Sequence, residues 1–245
     1  MMARGVGLGI AGVLLMAAGV AAFGQSCPAP LAQARRLILV TAESMSTPVA
    51  SVQIFERAAP AAPWRAVAGA EPVVVGLAGM AWGTGFRHLA GAGEPIKVEG
   101  DKRAPAGIYP VGRSFGFAAS SRPGYLRLAD DTVCVDDLAS PAYNTITSRA
   151  AVGRTVSGED MRKIDLYRRG LVVDYPADRA ARAGSCIFIH VWRGPGRGTA
   201  GCVAMPEAKV ASLQDFAEGG AVIAILPRRA LERFSGCLPT VDATR

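Results

Sequence analysis

A histidine and a cysteine lie close together in the segment from Ser185 to Met205, which reads SCIFIHVWRGPGRGTAGCVAM. His190 follows a short apolar run that predicts a buried strand, and Cys202 follows a glycine-rich loop just ahead of a predicted helix. A thiolate is a strong nucleophile, and a nearby imidazole can take its proton before it attacks a carbonyl. The chain has only two histidines, so this placement makes His190 and Cys202 a candidate base and nucleophile for acyl transfer.

The residues between this pair are candidates for supporting roles. The backbone N–H groups at Gly201 and Cys202 would hold an oxyanion, a contribution of about 3 kcal/mol per donor. Arg193 and Arg197 lie on the intervening loop and are candidates for binding a substrate carboxylate. An exposed loop arginine is more often simply solvated, so the sequence leaves this role open. The second histidine, His88, lies on a predicted loop and is interpreted as a surface residue.

The segment resembles the L,D-transpeptidase catalytic domain (YkuD-type) of bacterial cell-wall enzymes. The motif of that family is a His, a loop, and Ser/Thr-His-Gly-Cys followed by an apolar residue. Upstream, residues 97–109 resemble its Lys…Gly-Asp…Thr-Pro-x-Gly segment. The resemblance covers about residues 35–226. The residues that match the catalytic motif are His190, Thr199, Gly201, Cys202 and Val203.

The resemblance implies a peptidoglycan L,D-transpeptidase that acts through a Cys202 thioester on stem peptides of the cell wall, without a cofactor. The carbonyl of Val191 would orient His190, and Gly201 would support the oxyanion. The residues implied to contact the substrate are Thr199, Arg193 and Trp192.

Three features depart from the family's pattern. Ala200 stands where the family usually has a second histidine, Ala204 replaces a common Arg or Asn, and the loop is short. An L,D-carboxypeptidase or endopeptidase, in which water replaces the acceptor amine, therefore stays open. So does a non-catalytic wall-binding protein in which Cys202 is inert.

Five cysteines allow two disulfides and one free thiol in an exported chain. If Cys202 is the nucleophile, the other four have three possible pairings. Cys27 and Cys237 lie near the two ends of the mature chain, and chain ends are often close in space. We therefore expect a Cys27–Cys237 bond; Cys134 and Cys186 form the second candidate pair, although either could be a buried thiol.

Residues 1–24 are interpreted as a signal peptide, with Arg4 ahead of an apolar core and a small-x-small cleavage site at Ala22-Phe23-Gly24. No later run is long and apolar enough to span a membrane. The sequence thus predicts export to the periplasm or cell envelope, with no stable membrane anchor after cleavage.

The net charge of +7 either suits an anionic partner such as a wall polymer or simply reflects an arginine-rich composition. The arginines are scattered without a basic run, which argues against nucleic acid as a partner. A metal site is also poorly supported, because the two histidines are far apart and the chain has no Cys-x2-Cys.

The pattern along residues 25–245 predicts a single domain with many strands and few helices. This is an α+β fold, mainly β, of the β-sandwich or barrel-like kind. Apolar, β-branched runs predict strands near both ends of the chain, at Arg36–Thr41 and Ala221–Leu226. Helices are expected from Ser157 to Arg169 and from Pro206 to Gly219.

Overall fold

The structure is a computed structural model that describes residues 1–2 and 27–240. Residues 3–24 of the predicted signal peptide lie outside the described residues. Within the described part of the chain, no helix has the length and apolar character needed to cross a membrane.

Strands dominate the described residues, and the domain is mainly β, as the sequence predicts. Several strands are runs of β-branched and other apolar residues, such as LILV in the first strand and AVIAIL in the last. The strands are β1 (Arg36–Ala42), β2 (Val49–Glu56), β3 (Arg65–Ala66), β4 (Glu71–Val74), β5 (Met80–Trp82), β6 (Ala104–Gly116), β7 (Leu126–Arg127), β8 (Thr132–Val135), β9 (Ile146–Ser148), β10 (Gly158–Asp160), β11 (Arg169–Val173), β12 (Phe188–Val191), β13 (Val203–Met205) and β14 (Ala221–Pro227).

Eight strands close into a barrel in the order β1-β14-β6-β11-β12-β13-β4-β2, with β2 pairing back onto β1. The pairs β1–β14 and β12–β13 are parallel. The other pairs in the ring are antiparallel. Closure leaves no free sheet edge in the ring. The barrel-like architecture predicted from the sequence is therefore confirmed.

A second, three-stranded sheet in the order β10-β8-β9 lies beside the barrel. After β10 the chain makes two 3₁₀ turns, at Met161–Lys163 and Asp165–Arg168, and the second turn packs on β12. A disulfide between Cys134 of β8 and Cys186, just before β12, attaches this sheet to the barrel. This sheet and the two turns will be called the cap.

The predicted helix from Ser157 to Arg169 is wrong, because those residues form β10, the two 3₁₀ turns and the start of β11. The apolar residues Met161, Ile164 and Tyr167 recur every three positions, which fits 3₁₀ geometry as well as an α-helix. Pairing of β10 with β8 then decides the outcome.

The helices are few. Those described are α1 (Ala29–Gln33), α2 (Arg149–Val152) and α3 (Glu207–Phe216). The helix expected from Pro206 is therefore confirmed as α3, with Pro206 as its N-cap. The expectation that Cys202 directly precedes this helix is wrong, since β13 intervenes.

Apolar side chains form two separate clusters. The main core takes Ile187, Ile189 and Val191 from around β12, whereas Phe188 and Cys202 belong to a smaller cluster under the cap. Successive side chains on a strand point to opposite faces. The cap therefore covers the face of β12 that does not face the main core.

Both expected disulfides are present, Cys27–Cys237 and Cys134–Cys186, and among the described cysteines Cys202 is the free one. The first bond joins the two ends of the described range 27–240, as their positions predict.

Candidate active site

Cys202 and His190 lie on neighbouring parallel strands. His190 is opposite Ala204 in the register of β12 and β13, and Cys202 is two residues before Ala204. Residues two apart on a strand share a face, so the thiol and the imidazole lie on the same face, the one under the cap. The tertiary structure thus brings together the candidate nucleophile and the candidate base that the sequence singles out.

His190 is held in one orientation by its own strand. Its Nδ1 lies 2.8 Å from the carbonyl oxygen of Val191, the contact that the family resemblance implies. Because a carbonyl only accepts hydrogen bonds, Nδ1 carries the proton and Nε2 is the basic nitrogen. Burial and, to a smaller extent, the charge of Arg193 lower the pKa of His190 to about 4, against the opposing effect of the hydrogen bond to Val191. At neutral pH the imidazole is therefore uncharged and able to accept a proton.

Cys202 is 5 % exposed, and its thiol contacts backbone groups. Sγ accepts a hydrogen bond from the N–H of Phe188 at 3.3 Å and donates to the carbonyl of Cys186 at 3.4 Å. Burial raises the pKa of this thiol well above its ordinary value, and the charge of Glu159 raises it further. The resting thiol is consequently protonated.

No hydrogen bond joins Cys202 to His190, although both residues are described. With a protonated thiol and an uncharged imidazole, the resting pair is neutral rather than a thiolate–imidazolium ion pair. Catalysis by this pair requires Sγ to leave the carbonyl of Cys186 and turn toward Nε2.

The loop before Cys202 is fixed by Thr199. Its hydroxyl donates to the carbonyl of Cys202 at 2.7 Å and accepts from the N–H of Gly201 at 3.0 Å. The N–H of Gly201 is thus already bonded, which argues against its predicted role as an oxyanion donor in this conformation. Gly201 itself is required here, because its φ is +153° and a Cβ would lie 3.1 Å from the carbonyl of Arg103.

Residues 97–109, the upstream segment that resembles the family, pack against this loop. Asp101 accepts hydrogen bonds from Nζ of the buried Lys97 at 2.6 Å and from the backbone N–H of Arg103 at 2.9 Å. Lys97 and Asp101 therefore hold the chain next to Gly201, a structural role.

A cavity of about 370 Å³ opens beside His190. The three predicted substrate contacts, Trp192, Arg193 and Thr199, all line it, as does Ala200 at the position of the missing histidine. Its volume is at the small end of the usual range for ligand sites. The remaining lining residues are Leu77, Lys102, Glu159, Ile164, Leu166, Tyr167, Arg197, Gly198 and Ala204.

Glu159 and Tyr167 are functional candidates that the sequence does not indicate. Both belong to the cap, and the Tyr167 ring packs edge-on against His190 with centroids 5.2 Å apart. No spacing in the sequence places them beside Cys202 and His190, because pairing of β10 with β8 carries them there.

His88 lies elsewhere, exposed at the mouth of a cavity of about 800 Å³ next to the Cys27–Cys237 disulfide. The described residues contain no group of three or more His, Cys, Asp or Glu side chains suited to a metal ion.

Comparisons with protein-family models, curated proteins and solved structures find no match to this chain.

Proposed function

We propose that this protein is an exported peptidoglycan L,D-transpeptidase that forms an acyl-enzyme at Cys202 in the periplasm or cell envelope. The observation that carries the proposal is that the free thiol and an oriented, neutral imidazole lie on one face of adjacent strands, with the imidazole lining a cavity. Two disulfides support export, because such bonds persist in oxidising compartments.

The proposed reaction begins when Nε2 of His190 takes the proton of Cys202 and the thiolate attacks the amide carbonyl of a stem peptide. The C–S bond forms, the C–N bond breaks, and the imidazolium returns its proton to the leaving amine. The N–H of Phe188, which lies 3.3 Å from Sγ, would stabilise the thiolate as it forms. An acceptor amine of a second stem peptide then resolves the thioester.

Incubation with purified muropeptides, followed by mass spectrometry, tests this function. The parent protein should give a cross-linked product, and Cys202→Ser should give none, because a hydroxyl is far harder to deprotonate. The resemblance also implies that carbapenems form an adduct at Cys202. An adduct on another residue, or product formation by Cys202→Ser at the parent rate, would refute the proposal.

Two alternatives are favoured by particular observations. The buried thiol, with its raised pKa and no bond to His190, favours a non-catalytic wall-binding protein. That protein would bind wall fragments without any covalent adduct. Ala200, exposed in the cavity wall, favours hydrolysis, since it offers no polar group to an acceptor.

The variant Ala200→His separates transfer from hydrolysis. If this position serves acceptor recognition, the variant should raise the yield of cross-linked product while acyl-enzyme formation stays at the parent rate. A large gain in the acylation rate itself would assign the position to activation of Cys202 instead.

A further inference from the structure

Glu159 and Tyr167 form a hydrogen-bonded pair in the wall of the cavity. The Tyr167 hydroxyl donates to Oε2 of Glu159 at 2.6 Å, and both side chains line the cavity together with His190. Tyr167 is buried, and its ring packs edge-on against both Phe188 and His190. The carboxylate is therefore held in a fixed position by a residue that also contacts the catalytic histidine.

The charges around the cavity are unequally distributed. Glu159 is the single acidic residue in its lining, whereas Lys102, Arg193 and Arg197 are the basic ones and are exposed. The partly buried carboxylate has no cationic partner among the described residues; its bonded neighbour is the neutral Tyr167. A carboxylate that is desolvated without a counter-charge gains most from a cation that enters the cavity.

Consistent with this, burial and, to a smaller extent, the charges of Asp136 and Glu99 raise the pKa of Glu159 to about 6, against the lowering effect of the hydrogen bond from Tyr167. Tyr167, which holds Glu159, packs in the same buried cluster as Cys202, and the charge of Glu159 raises the pKa of the thiol. A cation held by Glu159 would accordingly lie near a group attached to Sγ.

We infer that Glu159 binds the ammonium group of the acceptor and delivers the amine to the Cys202 thioester, which makes the protein selective for cationic amines over water. This inference rests on the proposed function. Tyr167 is a positioning residue in it, since it acts through the carboxylate that it holds.

In the proposed transfer, Glu159 and His190 each take one proton from the acceptor amine. The ammonium gives one proton to Glu159, and the amine attacks the thioester carbonyl. The C–N bond forms and the C–S bond breaks, and the second proton passes through His190 to the sulfur, which regenerates the thiol. Glu159 then releases its proton to solvent.

The test compares Glu159→Gln with the parent after both have formed the acyl-enzyme. The acceptors are a stem peptide with a free side-chain amine on its third residue, hydroxylamine, which is uncharged at neutral pH, and water. Mass spectrometry measures the ratio of amine product to hydrolysis product. This ratio is independent of the acylation rate, because all products arise from the same intermediate.

A matched control is Glu99→Gln. Glu99 also accepts a hydrogen bond from a tyrosine, Tyr143, and another from Ser185 at 2.7 Å, but it does not line the cavity. Its replacement removes the same charge from a comparable setting. Loss of that charge can only lower the pKa of Glu159, so Glu159 stays ionised and the product ratio should be unchanged.

We expect Glu159→Gln to lower the ratio for the peptide amine by about tenfold or more, the usual weight of a charge-assisted hydrogen bond, and to leave the ratio for hydroxylamine unchanged. The hydroxylamine reaction of the same variant shows that its site is folded. An equal loss with both nucleophiles, or no loss with either, would overturn the inference. Absence of any acyl-enzyme in the parent would instead overturn the proposed function.

Discussion

Alkylation of Cys202 by iodoacetamide should become steadily faster from about pH 5 to about pH 9, without a plateau near neutral pH. The reason is that the thiol has no charged partner. Burial raises its pKa above the ordinary value of 9.0, and the imidazole of His190, with a pKa lowered to about 4, is uncharged over most of this range. Only the small thiolate fraction reacts, and that fraction grows with pH.

The expected size of this effect follows from the pKa. A thiol with a pKa above 9 is less than about 1 % ionised at pH 7, whereas a thiolate–imidazolium pair would be almost fully ionised there. The two arrangements therefore differ by about 100-fold in reactive species at neutral pH. Intact-protein mass spectrometry at a series of pH values measures the rate directly, because Cys202 is the one free thiol among the described cysteines.

The variant His190→Ala supplies the decisive comparison. It should leave the pH at which alkylation accelerates unchanged, because a neutral imidazole does not stabilise the thiolate. Acylation by a carbapenem should nevertheless slow by about 10²- to 10⁴-fold, since a general base is lost. A plateau in the parent between about pH 5 and pH 7 that disappears in His190→Ala would demonstrate an ion pair and refute this account.

Three further outcomes are expected. As the pH falls from about 6.5 to about 4, His190 is protonated in the unfolded chain but not in the folded one. The free energy of unfolding of the parent should therefore fall by about 3 kcal/mol relative to that of His190→Ala, as measured by denaturant titrations at several pH values. Replacing Cys134 and Cys186 together by serine frees a loop of 52 residues and should lower the free energy of unfolding by about 4 kcal/mol. Acylation should also slow because the cap is released, and an unchanged acylation rate would show that the cap does not support the site. Gln214→Leu leaves two buried carbonyls, on β6 and β11, without their 3.0 Å and 2.9 Å hydrogen bonds, and should lower the thermal midpoint by several degrees, with Ser212→Ala as the control.

The sequence alone determined the elements whose signals are local. The β-branched runs of β1 and β14 indicate strands wherever they are placed in space, and the odd cysteine count implies one free thiol. The pairing of Cys27 with Cys237 could also be predicted, because both lie near chain ends. His190 and Cys202 could be named as candidates from their residue types, their chain order and the family resemblance.

Only the tertiary structure decided what surrounds that pair. The region from Gly158 to Arg168 has a helix-like apolar spacing, yet hydrogen bonds to β8 draw its first residues into a sheet. Local propensity amounts to fractions of a kcal/mol per residue, which such pairing readily overrides. That choice carries Glu159 and Tyr167 over β12, where no sequence spacing places them.

The protonation states of the site were likewise beyond the sequence. The same cysteine and histidine would form an ion pair in a solvated cleft, but desolvation under the cap disfavours the charged form of each. The sequence names the two candidate groups because their possible chemistry is fixed by residue type, whereas their charge depends on burial, which arises only when distant segments pack together.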